Sequence, residues 1–149
     1  MSGIEMLKQS AGALRSSAGH VAKAEELALK AAVAIRQGDN RLAALHTANA
    51  QRAFDASLQP AHRGQQLIAK LDRDIDFDVR ASLQNSVRTA VAELRTADAK
   101  VFTEGPGALV SAFIHRNGIT ESVKSTTGAV AALREAAGQA HSRAVLPGA

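Results

Sequence analysis

The chain contains no cysteine, tryptophan or tyrosine, and its aromatic residues are four phenylalanines. Without cysteine it has no disulfides, no cysteine-ligated zinc and no thiol nucleophile. With so few aromatic side chains, recognition of single-stranded nucleic acid by base stacking is disfavoured as well. Four kinds of chemistry are therefore excluded or disfavoured before any pattern in the sequence is considered.

Long apolar runs are also missing. Arg, Lys, Gln or Asp interrupts every apolar stretch, so none reaches the ~18 residues of a membrane-spanning helix. Residues 1–10 show no basic region followed by an apolar run, so the sequence indicates no secretory signal. We therefore expect a cytoplasmic protein, or part of a particle assembled in the cytoplasm.

Alanine is the residue that the chain has in excess, at 32 of 149 positions. Hydrophobic residues make up 46% of the chain, but much of that share is alanine. At ~25 cal/mol per Å² of buried apolar surface, alanine stabilises a core less per position than Leu or Phe does. We therefore expect partner chains to complete the burial, either further copies of this chain or other protein subunits.

The first third of the chain has the periodicity of a long helix. Ser2 followed by Glu5 is a capping box, which predicts a helix from Gly3 to Gln37. Its seam advances by alternating steps of three and four residues. The seam comprises Ile4, Leu7, Ala11, Leu14, Ala18, Val21, Ala28, Ala32 and Ile35, with Glu25 as its one polar break. Because glycine costs ~1 kcal/mol inside a helix, Gly12 and Gly19 predict close approach of a neighbouring backbone.

A hairpin is predicted next. Gly38–Asn40 suits a turn, with Gly38 after the first helix and Asp39 or Asn40 as the next N-cap. A second helix over 40–58 carries Leu42, Leu45, Ala48, Ala53, Phe54 and Leu58. Pro60 then either kinks this helix or separates it from a third segment. That segment, residues 61–71, carries Leu67, Ile68 and Leu71 on one side.

Aspartate alternates with other residues from Asp72 to Asp78. The alternation resembles a short strand, but the chain offers no second strand to pair with it. Acidic residues favour helix initiation, so we expect a turn that ends at an aspartate N-cap. As a calcium loop the run fails, because Phe77 stands where the loop needs glycine and Leu83 where it needs glutamate. No metal site is predicted.

The remaining segments also follow helical periods. A helix over 78–102 presents Val79, Leu83, Val87, Ala90, Leu94, Ala97 and Val101 on one face. After a break at 103–107, a short helix over about 106–116 carries Leu109, Val110, Phe113 and Ile114 and ends at Asn117–Gly118. A last helix over about 120–143 presents Val123, Thr126, Val130, Leu133, Ala137 and Ala140.

The predicted fold is all-α, in one domain spanning residues 1–149. We expect an elongated bundle of about five to six helices with alanine-rich close-packed seams, short turns and no sheet. Its parts are a helical hairpin over about 3–58, central helices over about 61–102, a short helix over about 106–116 and a C-terminal helix over about 120–143. Because the seam alanines share faces with Leu and Val, they are predicted to be contact positions.

No catalytic, cofactor or metal site is predicted. The five histidines form no His-Glu-x-x-His or Glu-x-x-His arrangement, so a di-iron bundle is disfavoured. His20 and His46 could meet across the first hairpin, where an interfacial imidazole is favoured over a metal ligand. Nucleophile elbows are absent, and Gly105–Gly107 lacks the Lys and Ser/Thr of a phosphate-binding loop. We therefore expect a protein that is not an enzyme.

Basic residues form the one pattern that indicates a partner. The formal net charge is +4, and two sets of four cations each repeat at spacings of seven, eight and seven residues. The sets are Lys8, Arg15, Lys23 and Lys30, and Arg73, Arg80, Arg88 and Arg95. On a helix each set forms a narrow stripe. The stripes suit phosphate or an acidic partner surface, but charges that flank a seam repeat in the same way, and this second interpretation is favoured.

The sequence thus predicts a non-enzymatic structural or protein-interaction subunit that acts through helix faces. It would belong to a homo-oligomer or a larger assembly, such as a phage, virus-like or other bacterial particle. The alternative is a nucleic-acid-binding or packaging protein that uses the Lys/Arg stripes. Salt separates the two, because phosphate binding weakens steeply as salt concentration rises.

Overall fold

Four helices make up most of the described chain. The structure, a computed structural model, describes residues 2–71, 75–98 and 116–145. The helices are α1 (Gly3–Arg36), α2 (Asn40–Ala69), α3 (Phe77–Ala97) and α4 (Arg116–Val145). No strand occurs within those ranges. The all-α prediction is confirmed, with four helices in the described part instead of five to six.

The helices form a ring in which each packs on two neighbours. α1 and α3 both contact α2 and α4; the α1–α2 interface is the most extensive and α2–α3 the least. Gly3, at the start of α1, lies against Ile75, just before α3. α1 and α3 therefore begin at the same end and occupy opposite corners of an up-down-up-down bundle.

Both ends of α1 are formed as the sequence predicts. The Ser2 hydroxyl accepts a hydrogen bond from the Glu5 backbone N–H at 3.2 Å. After Arg36, Gly38 adopts a φ of 76°, in the left-handed region that glycine enters without a Cβ clash. The Asp39 carboxylate then accepts from the Leu42 backbone N–H at 3.0 Å and caps α2.

α2 continues through Pro60, so of the two predicted alternatives the separation, with a helix ending at Leu58 and a new segment over 61–71, is wrong. A proline inside a helix frees the carbonyl four residues earlier, here that of Ala56. Ala56 is exposed, so water can satisfy this carbonyl. Phe54 and Ala61 are buried on either side of the proline, and their packing holds the helix together.

α3 starts at an aspartate, as predicted. The Asp76 carboxylate accepts from the Asp78 backbone N–H at 2.9 Å, and the helix begins at Phe77. The α-helix ends at Ala97, and its C-cap Asp98 still has helical backbone angles, so the predicted extension to Phe102 falls on residues that the structure does not describe. Positions 72–74 and 99–102 lie outside the described residues.

α4 is longer than the sequence predicts. It begins at Arg116 and ends at Val145, so the prediction that Asn117–Gly118 terminates a preceding helix is wrong. A glycine costs a helix only ~1 kcal/mol, which thirty residues of helix packed on two neighbours can absorb. The break predicted at 103–107 and residues 106–115 of the predicted short helix lie outside the described residues.

The buried side chains of all four helices form one continuous cluster. Its largest fully buried members include Phe54, Leu14, Ile68, Leu94 and Leu133. The seam alanines singled out from the sequence are at most 5% exposed, which confirms them as contact positions. They are Ala11, Ala18, Ala28, Ala32, Ala90, Ala97, Ala137 and Ala140. Ile4 departs from the predicted seam and is 39% exposed.

α1 and α2 meet along two facing lines of small residues. The Ser10 hydroxyl donates to the Gly64 carbonyl at 3.0 Å, and the Ser17 hydroxyl donates to the Ser57 carbonyl at 2.8 Å. The same antiparallel register continues through buried alanines, pairing Ala24 with Ala50 and Ala31 with Ala43. Because no side chain on these lines is larger than serine, the two backbones can approach closely.

The close approach predicted at Gly12 and Gly19 occurs elsewhere. Space is open where a Cβ would stand on either residue, whereas a Cβ on Gly64 would lie 2.8 Å from Leu14 Cγ. Gly12 and Gly19 lie on the exposed side of α1, and that prediction is wrong. The glycine that admits a neighbour is on α2.

Candidate interaction surface

Large apolar side chains are exposed at the tip of the α1–α2 hairpin, the region from residue 26 to residue 46. Leu29 is 42% exposed, Val33 48%, Leu42 37% and Leu45 55%. We call these four side chains the tip patch. Among the described residues, the other large apolar side chains with comparable exposure are Ile4, Phe77 and Val145, which lie towards the opposite end of the bundle.

The register of α2 places two of these leucines outside the core. The buried positions of its first half are Ala43, Thr47 and Ala50, which face α1 and the bundle interior. Leu42 and Leu45, two of the apolar residues of the predicted helix over 40–58, fall on the outer side of this line. A helix with alanine and threonine inside and leucine outside inverts the usual amphipathic pattern.

A shallow groove runs through the tip patch between the two helices. Leu29, Val33 and Leu42 line it, and His46 closes one side. His46 Nδ1 is buried and has no hydrogen-bond partner within the described part of the chain. An unpaired buried polar atom costs on the order of 1–3 kcal/mol, so the groove has an unsatisfied acceptor or donor beside its apolar wall.

His20 and His46 do not meet. The pairing of Ser17 with Ser57 places His20 near Phe54, well along the hairpin from His46. His46 instead lies beside Glu26 and Lys30. The predicted contact is wrong because antiparallel registry, not the number of histidines on each helix, decides which residues face each other.

Glu26 organises the charges at the tip. Its carboxylate lies 3.5 Å from Lys23 Nζ and 3.4 Å from Lys30 Nζ. The hydrogen bond from Lys30, followed by the charge of Lys23, holds the pKa of Glu26 below its ordinary value. All three side chains are about half exposed, so the pairs contribute little to stability.

Along the basic stripe of α1, Lys8 and Arg15 are exposed, while Lys23 and Lys30, about half exposed, share Glu26 as a counter-ion.

In the second stripe, Arg80 lies over the ring of Phe77, with 5.6 Å between its Cζ and the ring centroid. Arg88 and Arg95 are exposed, and Arg73 lies outside the described residues. Because α1 and α3 occupy opposite corners of the bundle, the structure does not bring the two stripes together.

The described residues hold no group of three or more His, Asp or Glu side chains placed to bind a metal ion. Nor is any helix in the described ranges both long and apolar enough to span a bilayer. Comparison with known proteins adds nothing to this picture: no family model, curated protein or solved structure matches the chain.

Sequence reasoning identified the basic stripes but missed the tip patch. Leu42 and Leu45 were named only as apolar residues of the second helix, and Leu29 and Val33 were not singled out, because Leu and Val are expected inside. A signal was present in the small residues. Ala43, Ala50, Ser57 and Gly64 recur every seven positions on α2, and so do Ser10, Ser17, Ala24 and Ala31 on α1.

Proposed function

We propose that the protein is a non-enzymatic interaction subunit that associates with further copies of itself or with other subunits through its helix faces. The tip patch carries this proposal. Exposed apolar side chains that cluster on one surface mark interaction sites more often than chance. Here they occur in a chain whose other described leucines are all buried or partly buried.

Self-association also follows from the composition of the core. The α1–α2 interface is built largely from Ala, Ser and Gly, which bury less apolar area than Leu would. Covering the tip patch in an oligomer would add the burial of larger side chains to this modest total.

Nucleic-acid binding is the second candidate, and Arg88 and Arg95 favour it. Both are exposed, and neither forms an ion pair with another described residue. Against it stand the pairing of Lys23 and Lys30 with Glu26 and the separation of the two stripes. Under the main proposal, the basic stripes would instead set the orientation of acidic protein neighbours.

Mass measurement in solution tests the main proposal. We expect sedimentation equilibrium to show a mass that rises with concentration from monomer to dimer or beyond. The association should persist in high salt, because apolar burial is not screened. A monomer from low micromolar to several hundred micromolar protein would contradict self-association.

Charge reversal tests the second candidate. Changing Arg88 and Arg95 to Glu should leave the oligomer intact if the stripes only flank the seams. If the protein binds duplex DNA by phosphate contacts, the same change should weaken binding and reduce its salt dependence. Fluorescence anisotropy with a labelled duplex measures both.

A further inference from the structure

We infer that the tip patch is the contact surface for a second copy of this chain, with the C-terminal halves of the two α1 helices antiparallel across a two-fold axis. This inference rests on the proposed self-association and adds its surface, its orientation and its register. The observations are a second seam on α1 and the order of charges along it.

The second seam lies on the solvent side of α1. Its positions follow steps of four, three, four and three residues, which is the spacing of a coiled-coil contact line. They are Ala22, Glu26, Leu29, Val33 and Arg36. Leu29 borders both outer grooves of α1, the one shared with α2 and the one shared with α4. The seam is thus open to a partner helix from either side.

The seam carries an acidic residue on one side of its apolar centre and a basic residue on the other. Glu26 precedes Leu29 and Val33, and Arg36 follows them; the Glu26 carboxylate, about half exposed, also contacts Lys23 and Lys30. Arg36 is exposed and forms no ion pair within the described residues. An apolar centre with one acidic and one basic end is self-complementary when a second copy runs in the opposite direction.

The register of this pairing follows from the spacing. Placing Leu29 opposite Val33 of the partner subunit also places Glu26 opposite Arg36 of the partner subunit. A two-fold axis repeats each contact, so one interface contains two apolar contacts and two ion pairs. A parallel arrangement instead places Glu26 against its own copy and Arg36 against its own copy, which is repulsive.

The α2 side of the patch widens the contact. Leu42 shares the groove with Val33, and Leu45 follows one turn later on α2. A stable interface buries about 800 Å² per partner. Because Leu29 and Val33 alone supply less area than this, the proposed interface includes Leu42 and Leu45. His46 Nδ1 lies within this area.

One experiment introduces a charge at the centre of the patch. Val33→Asp should weaken dimerisation by about tenfold or more, measured by sedimentation equilibrium, because it places two carboxylates near the axis. Val145→Asp is the matched control, since Val145 is 59% exposed and lies outside the patch, at the end of α4. It should leave the dimer unchanged. Circular dichroism on both variants separates dissociation from unfolding.

A charge swap tests the direction of pairing. Glu26→Arg and Arg36→Glu should each weaken the dimer several-fold, and the double variant should recover most of the loss. Residues ten apart on one helix are about 15 Å apart along its axis, so recovery needs contact between two chains. Failure of the double variant to recover would overturn the antiparallel register.

Different results would contradict self-association and the assignment of the tip patch as its contact surface. A dimer that survives Val33→Asp overturns this inference and leaves self-association standing. A wild-type protein that stays monomeric at every concentration overturns both. A monomer that binds an unrelated amphipathic helix at the patch would assign the surface to a different partner and likewise overturn the inference.

Discussion

The two ends of the α1–α2 hairpin use the same small-residue contact line but differ in what surrounds it. At the far end of the hairpin, away from the turn, the Ser10 hydroxyl bonds to Gly64 and the Ser17 hydroxyl bonds to Ser57. Leu14 and Ile68 are buried there. At the tip, the line continues through buried alanines while the large apolar side chains lie outside it. Close packing of two helices therefore does not require their largest apolar residues to be the ones that face each other.

This difference separates a folding role from an interaction role. Away from the turn, large side chains such as Phe54 fill the space between helices and hold the bundle together. At the tip, Leu42 and Leu45 contribute less to the bundle because they remain 37% and 55% exposed to water. Substitutions at the far end of the hairpin should change stability, and substitutions at the tip should change association.

Truncating a large side chain at each end gives the largest contrast. Phe54→Ala should lower the free energy of unfolding by about 3–5 kcal/mol, because Phe54 is fully buried and its removal leaves a cavity. Leu45→Ala should lower the same quantity by about 0.5 kcal/mol or less, measured on the monomer. Urea denaturation checks both. Equal losses at the two positions would contradict the division into two roles.

Enlarging an alanine should have a smaller effect that follows the same division. Ala18→Leu should cost about 1–3 kcal/mol of unfolding free energy because the site is 1% exposed and closely packed. Ala97→Leu, at a fully buried site on α3, should behave alike. Ala44→Leu, on the exposed side of α2 near the tip, should change stability by about 0.5 kcal/mol at most. An unchanged melting temperature of the Ala18→Leu variant would show that the seam is not closely packed at this position.

Adding a methyl group to a glycine sharpens the contrast, because the sign of the effect should differ. Gly64→Ala places a Cβ 2.8 Å from Leu14 Cγ, so the buried leucine or the helix must move, at a cost of about 1–3 kcal/mol. Gly12→Ala meets open space and should stabilise the protein by up to about 1 kcal/mol through helix propensity. If both variants melted above the wild type, the close contact at Gly64 would not exist in solution.

The smallest expected effect concerns charge at the tip. Because the pKa of Glu26 lies below its ordinary value of 4.5, its ion pairs stabilise the folded state above that pH and cease to do so as the pH falls through the lowered pKa. Glu26→Gln should therefore flatten the fall in melting temperature on acidification slightly. The two melting curves should converge at the acidic end. A large change at neutral pH would show that the pairs are more than surface contacts.

Much of the architecture could be predicted from local sequence. The capping box at Ser2, the glycine turn at Gly38 and the aspartate cap at Asp76 depend on residues within one helical turn of each other. Core alanines such as Ala18 and Ala97 were found from periodicity alone. These features depend on short-range hydrogen bonds and on which face of a helix is apolar.

Continuity through Pro60 and Gly118 could not be predicted from local propensity, because packing against neighbouring helices offsets the local cost. The face of α2 that meets α1 was equally hidden. Leu42 and Leu45 look like core residues until Ser10 and Ser17 set the register with Gly64 and Ser57. Registry between two helices is a property of the pair, and neither helix contains it alone.

The sequence by itself determined that this chain is helical, that α1, α2 and α3 are capped near Ser2, Asp39 and Asp76, and that small residues form its contact lines. Those features follow from interactions among residues close in the chain. Tertiary structure decided which small residues face each other and that the exposed Leu29, Val33, Leu42 and Leu45 all lie at the tip of the hairpin. These outcomes depend on how two helices settle against each other, where backbone approach and hydroxyl–carbonyl bonds outweighed the burial of larger side chains.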